Sequence, residues 1–434
     1  MRDVTLIVFH RPPRAGDLPL TALLAAARQA LLEHQVALFR RAGAGRVVLA
    51  AARGVDAAPG AEAIGGAETI GDAEAIGDAD DVPGERALPP LLAAPGGSFG
   101  EALAGLVHDE RIEACVVLGS GAVPRLRPED ARRLVAVAGG TRRAALTNNR
   151  YSSDVCAVAE AATLRGLPPL PSDNALPRWL EEVAGYAVAE LPGRDRLALD
   201  LDTPLDLALL ALASGTPTAL SRIAAAHGLS VPRLDEVRAI AADPRRELLV
   251  FGRSSSRTLA WLERHVHCRV RFLAEERGLR ASSPLAMGAR PGGAAQGTTR
   301  ADAAHETACG TADHRVRGGW PRAAASGPGR PARATIGRLL AAQGPGALPS
   351  IVAELADAAV LDSRVLIADH AGPDEDHWPA DEDRFASDLL RPAGIADRWL
   401  RDLTAAAAGS PVPILLGGHT LVGPGVPLLL RGIR

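Results

Sequence analysis

The residues with chemistry to offer are concentrated in two short stretches. The first is Asp200-Leu201-Asp202-Thr203-Pro204, inside LALDLDTPLDLALLA from Leu197 to Ala211. Leu197, Leu199 and Leu201 alternate at period two, as on one face of a strand, and the residues after Pro204 turn apolar at helical spacing. Thr203 is an N-cap type, Pro204 suits the first helical position, and Asp206 falls three residues after the cap, where a carboxylate meets the positive end of the helix dipole. The expectation is a strand-to-helix corner with Asp200 and Asp202 at its mouth. Such corners lie at the carboxyl ends of strands, where open α/β sheets place their ligands. The second stretch, Asn148-Asn149-Arg150-Tyr151-Ser152-Ser153-Asp154, is dense in hydrogen-bonding groups ahead of an apolar run. It reads equally as a well-capped turn and as a polar ligand loop.

Composition restricts the chemistry further. All 48 basic residues are Arg, since the chain has no Lys. A Schiff-base lysine, a pyridoxal phosphate anchor and a Walker-type phosphate lysine are therefore excluded. Arg can clamp a phosphate but cannot serve as a base. Aromatic residues make up 3% of the chain and the net charge is -3, so neither a base-stacking surface nor a basic nucleic-acid footprint is expected. Cys115, Cys156, Cys268 and Cys309 are far apart, with no CxxC pair and no His at metal-finger spacing; they read as small apolar residues of a reducing compartment. No apolar run approaches membrane length. The chain is expected to be soluble and cytoplasmic, with no nucleic-acid or membrane partner.

With 434 residues, 47% of them apolar, the chain can build more than one core. Val4 to Phe9 reads as a buried strand, Leu20 to Ala42 as a long helix stopped by Gly43, and Arg46 to Ala51 as the next strand, which together make a βαβ unit. Residues 55–92 interrupt the rhythm with three near-copies of a six-residue unit from Ala61 to Asp78, read as an acidic insertion. Glu113 to Leu118 and Ala144 to Thr147 read as strands, Pro128 to Val137 and Asn174 to Ala189 as helices. Two short helices around Gly228 have a helix-turn-helix look but no basic face, which favours a packed hairpin over a DNA reader. Glu247 to Phe251 and Cys268 to Leu273 read as strands around a helix ending at His265. Residues 283–332 are rich in Gly, Ala, Pro and Arg without periodicity and read as a disordered insertion. Beyond them, helices are expected at Ala334 to Gln343 and Leu348 to Ala359. The polar clusters of this half are Arg269 and Arg271 with Glu275-Glu276-Arg277, the acidic Asp381 to Asp388, and Gly418-His419. Each reads either as a second site or as ordinary ion pairs and turns.

Residues 1–215 resemble the MobA-like nucleotidyltransferases, a group that includes molybdenum cofactor guanylyltransferase, 2-phospholactate guanylyltransferase and the cytidylyltransferase of methylerythritol phosphate. LEHQVALFRRAGAGRVVLA, Leu32 to Ala50, looks like the segment in which the family's helix ends at a short Gly turn before a strand. PRLRPEDARRL is similar to the family's PLLTPEDL, and LDLDTPLDLALL to its closing DIDTPEDL. The resemblance implies an α/β fold, a nucleotidyltransferase-like (Rossmann-like) mixed sheet with flanking helices. It implies transfer of a nucleotidyl group from a nucleoside triphosphate to a small phosphorylated acceptor. Asp200 and Asp202 would then be metal ligands for Mg2+, with Arg11, Arg14, Asn148, Asn149, Ser152, Asp154 and Asp202 as nucleotide or substrate contacts.

Two departures matter. Where the family has a Gly-rich triphosphate loop this chain has HRPPRAG, and where the family has a metal-binding Asp it has Gly119-Ser120-Gly121-Ala122-Val123-Pro124. Transfer at an α-phosphate needs cations against the developing charge, so losing Lys and Asp together removes the main catalytic term. The rival expectation is a non-catalytic nucleotide- or metabolite-binding protein on the same fold. Residues 216–434 resemble no family by motif and are expected to form a second α/β or mostly helical domain.

Overall fold

The computed structural model describes residues 2–51, 88, 91–92, 97–170, 172–275, 333–372 and 374–433. The hexapeptide copies and the 283–332 segment lie outside the described residues, as do Glu276, Arg277 and Cys309. The chain divides into two compact units, Met1–Leu229 and Ser230–Arg434. The expected boundary at residue 215 therefore falls too early. The helix Thr218–Ala226 packs on helices of the first unit and buries Leu220 and Ala224 there.

The first unit is built on a seven-stranded mixed sheet. Its strands are β1 (Thr5–His10), β2 (Arg46–Ala51), the two-residue β3 (Leu91–Leu92), β4 (Cys115–Gly119), β5 (Ala144–Thr147), β6 (Val155–Val158) and β7 (Ala187–Glu190), in the spatial order β3-β2-β1-β4-β6-β5-β7. All neighbours are parallel except β6, which runs antiparallel to β4 and β5. The helix α1 (Pro19–Arg41) links β1 to β2 and ends at Gly43, whose φ of 103° is open to glycine at little cost. Leu6 and Val8 of β1 join Leu32, Val36 and Phe39 of α1 in one core. The alternate residue Phe9 meets Phe99 of α2 (Phe99–Asp109) at 5.2 Å, so helices cover both faces. The longer helices of this unit also include α3 (Pro128–Ala138), α4 (Leu176–Glu182), α5 (Pro204–Ala211) and α6 (Thr218–Ala226).

Two expectations fail here for physical reasons. Leu197, Leu199 and Leu201 are all fully buried, as the period-two pattern required, yet they form no strand. Residues Arg194–Leu197 make one helical turn, and the segment beyond joins no ladder; its Leu201 N–H donates to the carbonyl of Gly121, in the loop after β4, at 2.8 Å. The helix expected over Asn174 to Ala189 stops at Glu182. Gly185 adopts φ 73°, and Ala187 to Glu190 then pairs with β5 as β7.

The second unit carries a fully parallel four-stranded sheet of β8 (Glu247–Gly252), β9 (Arg269–Ala274), β10 (Ala358–Asp362) and β11 (Ile414–Gly417), ordered β11-β10-β8-β9. It is an α/β unit. The expected helix from Leu348 to Ala359 ends at Leu355 because residues from Ala358 are drawn into the sheet centre, all buried on both faces. Helices α7 (Leu234–Ala242), α8 (Ser256–His265), α9 (Thr335–Gln343), α10 (Leu348–Leu355), α11 (Ser363–Ala371), α12 (Asp381–Asp388) and α13 (Arg398–Ala408) flank it. No helix of the described residues is long and apolar enough to cross a membrane.

Candidate functional site

In the first unit the chain leaves β1 toward β2 on one side and places β4 on the other, so the strand order reverses between β1 and β4. Open α/β sheets bind ligands outside the carboxyl ends of strands at such a reversal. The two strand ends are locked by Ser120 N–H to Phe9 C=O at 2.9 Å. A Cβ built on Gly119 meets nothing within 4 Å, which leaves open space at the end of β4. Two residues on, Gly121 cannot carry a side chain cheaply: its Cβ would come 2.9 Å from the carbonyl oxygen of Leu201 and 3.1 Å from Nε of Arg28. Val123, a β-branched residue, sits at φ 40°, a strained left-handed conformation.

The Asp200–Asp202 corner is pinned to this loop. Val123 N–H donates to Oδ1 of Asp200 at 3.4 Å, and Arg28 of α1 donates from Nε to the Leu201 carbonyl at 2.8 Å and from Nη2 to Oδ1 of Asp202 at 3.1 Å. Thr203 caps α5 as expected, in a reciprocal box in which Asp206 N–H donates to Oγ1 of Thr203 and Thr203 N–H to Oδ2 of Asp206. Asp202, 54% exposed at its side chain, faces outward.

Asp154 comes to the same place from the start of β6. Burial, then the charge of Asp173, push its carboxyl up to about 7 against the hydrogen bond from Asn148. Burial, then the charges of Asp154 and Asp202, raise Asp200 in the same direction. The two carboxyls act on one another, and a proton held by the pair relieves their repulsion. The side chains of the stretch before Asp154 bond extensively within the protein. Asn148 spends its whole amide on the protein, donating to Oδ2 of Asp154 (2.6 Å) and the Leu197 carbonyl (2.9 Å) and accepting from Asp154 and Val155 N–H. Asn149 accepts from Tyr151 N–H and Arg194, and Ser152 donates to Asn174. Of the expected contacts, Asp154, Asp200 and Asp202 are brought together, while Asn148, Asn149 and Ser152 shape the loop behind them. Arg11 and Arg14 stand on an exposed loop after β1; the guanidinium that reaches the corner is that of Arg28.

Sequence reasoning missed three participants: Arg28, Asp173 and His10. Arg28 lies mid-helix with its partners more than 170 residues away, so nothing local marks it. His10, at the end of β1, is 3% exposed, and its ring lies beside Gln29 and Arg28 of α1. Burial holds it below the ordinary histidine range against a hydrogen bond with Gln29, and the charge of Arg28 adds to the lowering. Its one signal in the sequence is a polar residue continuing an apolar strand.

Among the described residues no group of three or more His, Cys, Asp or Glu side chains is arranged to hold a metal ion. Each carboxylate of the corner is already engaged, Asp202 by Arg28, Asp200 by Val123 and Asp154 by Asn148. The Mg2+ implied by the resemblance does not fit these residues as they stand.

In the second unit the strand order reverses between β8 and β10, and charged residues gather there as well. Arg253 donates twice to Asp362 (2.6 and 3.0 Å), and Arg364 twice to Asp388 (both 2.7 Å). The clusters singled out from sequence are engaged in the same way. Arg269 and Arg271 pair with Glu247, Glu275 accepts from Thr335, Asp381 pairs with Arg384, Asp383 accepts from Ala396 and Asp397 N–H, and His419 opens a one-turn helix. These are ties within the unit rather than vacant ligand groups. The chain matches no known family model and no curated protein.

Proposed function

We propose that the first unit binds a nucleotide, or another small phosphorylated metabolite, in the crevice at the carboxyl ends of β1 and β4. The observation that carries this reading is the convergence there of His10, Arg28, Asp154, Asp200 and Asp202, residues from four separate segments, beside the open space at Gly119. Such convergent polar groups at a strand-order reversal are the usual mark of a ligand site. The mixed sheet flanked by helices agrees with the nucleotidyltransferase-like reading of residues 1–215. Nucleotidyl transfer to a small phosphorylated acceptor is the second reading, favoured by Asp200 and Asp202 of the LDLDTP segment standing at the crevice mouth. In that reading a cation would arrive with the nucleotide rather than on ligands preset by the chain.

The test is binding of each nucleoside triphosphate, with and without magnesium, to the wild-type chain and to Asp202→Asn. Asp202 is exposed and its pair with Arg28 contributes at most about 1 kcal/mol, so the variant should melt within a few degrees of wild type. A saturable nucleotide affinity altered at least severalfold by Asp202→Asn is the expected result. Absence of binding by any nucleotide would remove the reading. A large magnesium-dependent gain lost in Asp202→Asn, together with pyrophosphate release, would promote the transfer reading over simple binding.

A further inference from the structure

We propose that Gln35 of α1 is a positioning residue of the first unit's site, acting through the Ala122–Val123 peptide in the loop after β4. The inference rests on the nucleotide reading for what the site holds, and it adds the residue that sets the shape of that loop. Gln35 is 1% exposed, and its Nε2 donates to the Ala122 carbonyl at 2.5 Å. The other end of the same peptide is held as well, since Val123 N–H donates to Oδ1 of Asp200 at 3.4 Å. One peptide unit is thus fixed at both ends by side chains from distant parts of the sequence, 87 residues before it and 77 after it.

The conformation held this way is unfavourable by itself. Val123 is β-branched, fully buried and at φ 40°, where its side chain crowds the backbone. Residues so strained persist only where their surroundings over-determine them. Turning the Ala122–Val123 peptide over would carry Val123 back to an ordinary negative φ, and it would break both bonds: the carbonyl would leave Nε2 of Gln35, and the N–H would leave Asp200. The orientation of this peptide therefore reaches the carboxyls of the site. Burial, then the charges of Asp154 and Asp202, raise Asp200, and the bond from Val123 N–H opposes that rise. Arg28, two helical turns before Gln35 on the same face of α1, bonds the Leu201 carbonyl and Asp202, and Leu201 N–H returns to the Gly121 carbonyl. One face of α1 thus sets the loop after β4 through Gln35 and the 200–202 segment through Arg28.

The experiment measures amide hydrogen exchange on the ligand-free chain and the binding of nucleoside triphosphates, on wild type and Gln35→Met. Methionine keeps the length of the side chain and removes the donor, while the unpartnered Oε1 of Gln35 disappears with it, so the variant should melt within a few degrees of wild type. The Val123 amide should exchange about threefold to tenfold faster, the loss of one hydrogen bond, with the amides of the β1–β4 ladder unchanged. Nucleotide affinity should fall about threefold or more. In a Val123→Gly background, where glycine takes a positive φ without strain, Gln35→Met should weaken binding less than it does in wild type. An unchanged Val123 exchange rate overturns the proposal, as does an acceleration shared equally by the ladder amides, which is the mark of a packing residue. Full nucleotide affinity in Gln35→Met overturns it as well. Failure of the nucleotide reading shows separately: no nucleoside triphosphate would bind the wild-type chain, while the Val123 amide would still depend on Gln35 and support its hold on the loop.

Discussion

Asp154 shows what the site does to a single side chain and how that is measured. In the folded chain its carboxyl holds a proton up to about 7, whereas unfolded it releases it near the ordinary Asp value of roughly 3.9. Between those values the folded state binds a proton that the unfolded state does not, so this contribution is full at low pH and is lost as pH rises toward 7. Asp200 is shifted in the same direction and adds to the slope. Asp154→Asn keeps an oxygen to accept the Asn148 amide and removes the charge, so the fall in unfolding free energy between pH 5 and pH 8 should be shallower than in wild type. Urea titrations at the two pH values decide it, and identical slopes would show that the pair is not coupled to folding. At this scale the sequence was legible only where partners are close in the chain. Thr203, Pro204 and Asp206 announce their helix start because the cap is made within three residues. Arg28 and His10 carry no such sign, since the groups that define them come from α1, β1 and the 200–202 loop at once.

Elements were read well where one period dominates and poorly where two meet. The long α1 and the strands Arg46–Ala51 and Ala144–Thr147 follow directly from their patterns. The four-residue β6 and the junction of β10 with α11 are short apolar runs whose type depends on the sheet they join. The carboxyl ends of two strands make the difference between architecture and site testable. Gly252, ending β8, adopts φ 123°, and a Cβ there would collide with Asp362, whose carboxylate is fully buried on Arg253. Gly252→Ala should therefore cost about 2–4 kcal/mol, through backbone strain and displacement of the ion pair. Gly119→Ala, at the end of β4, enters open space at an ordinary φ and should leave stability unchanged or slightly raised. If the crevice is occupied as proposed, Gly119→Ala should nevertheless weaken nucleotide binding, since the methyl group takes space from the ligand. A Gly119→Ala variant that loses stability, or a Gly252→Ala variant that does not, would contradict this division between the two glycines.

Over the whole molecule, two sheets with separate buried interiors account for the length of the chain, and where the first unit ends has an energetic consequence. Motif reasoning ended the first domain at residue 215, just after α5, because the resemblance stops there. The folded unit continues through α6, which packs on α1 and α5 and buries Leu220 and Ala224 almost completely. Removing α6 exposes those side chains and the apolar surface of α1 and α5 beneath them; full burial of one leucine is by itself worth about 1.5–3 kcal/mol. A polypeptide of residues 1–229 should fold, melt cooperatively and keep the nucleotide response of the full chain. Residues 1–215 should melt at least several degrees lower or aggregate, since a loss of this size is a large part of the stability of a single domain. The comparison also bears on the site, because α1 carries Arg28, the residue that ties Asp202 and Leu201 to the β1 side of the crevice. Loosening α1 by deleting α6 should weaken nucleotide binding more than the change in melting temperature alone predicts. Equal stability and equal affinity in the two polypeptides would place the true end of the domain at residue 215 and leave α6 without a part in it.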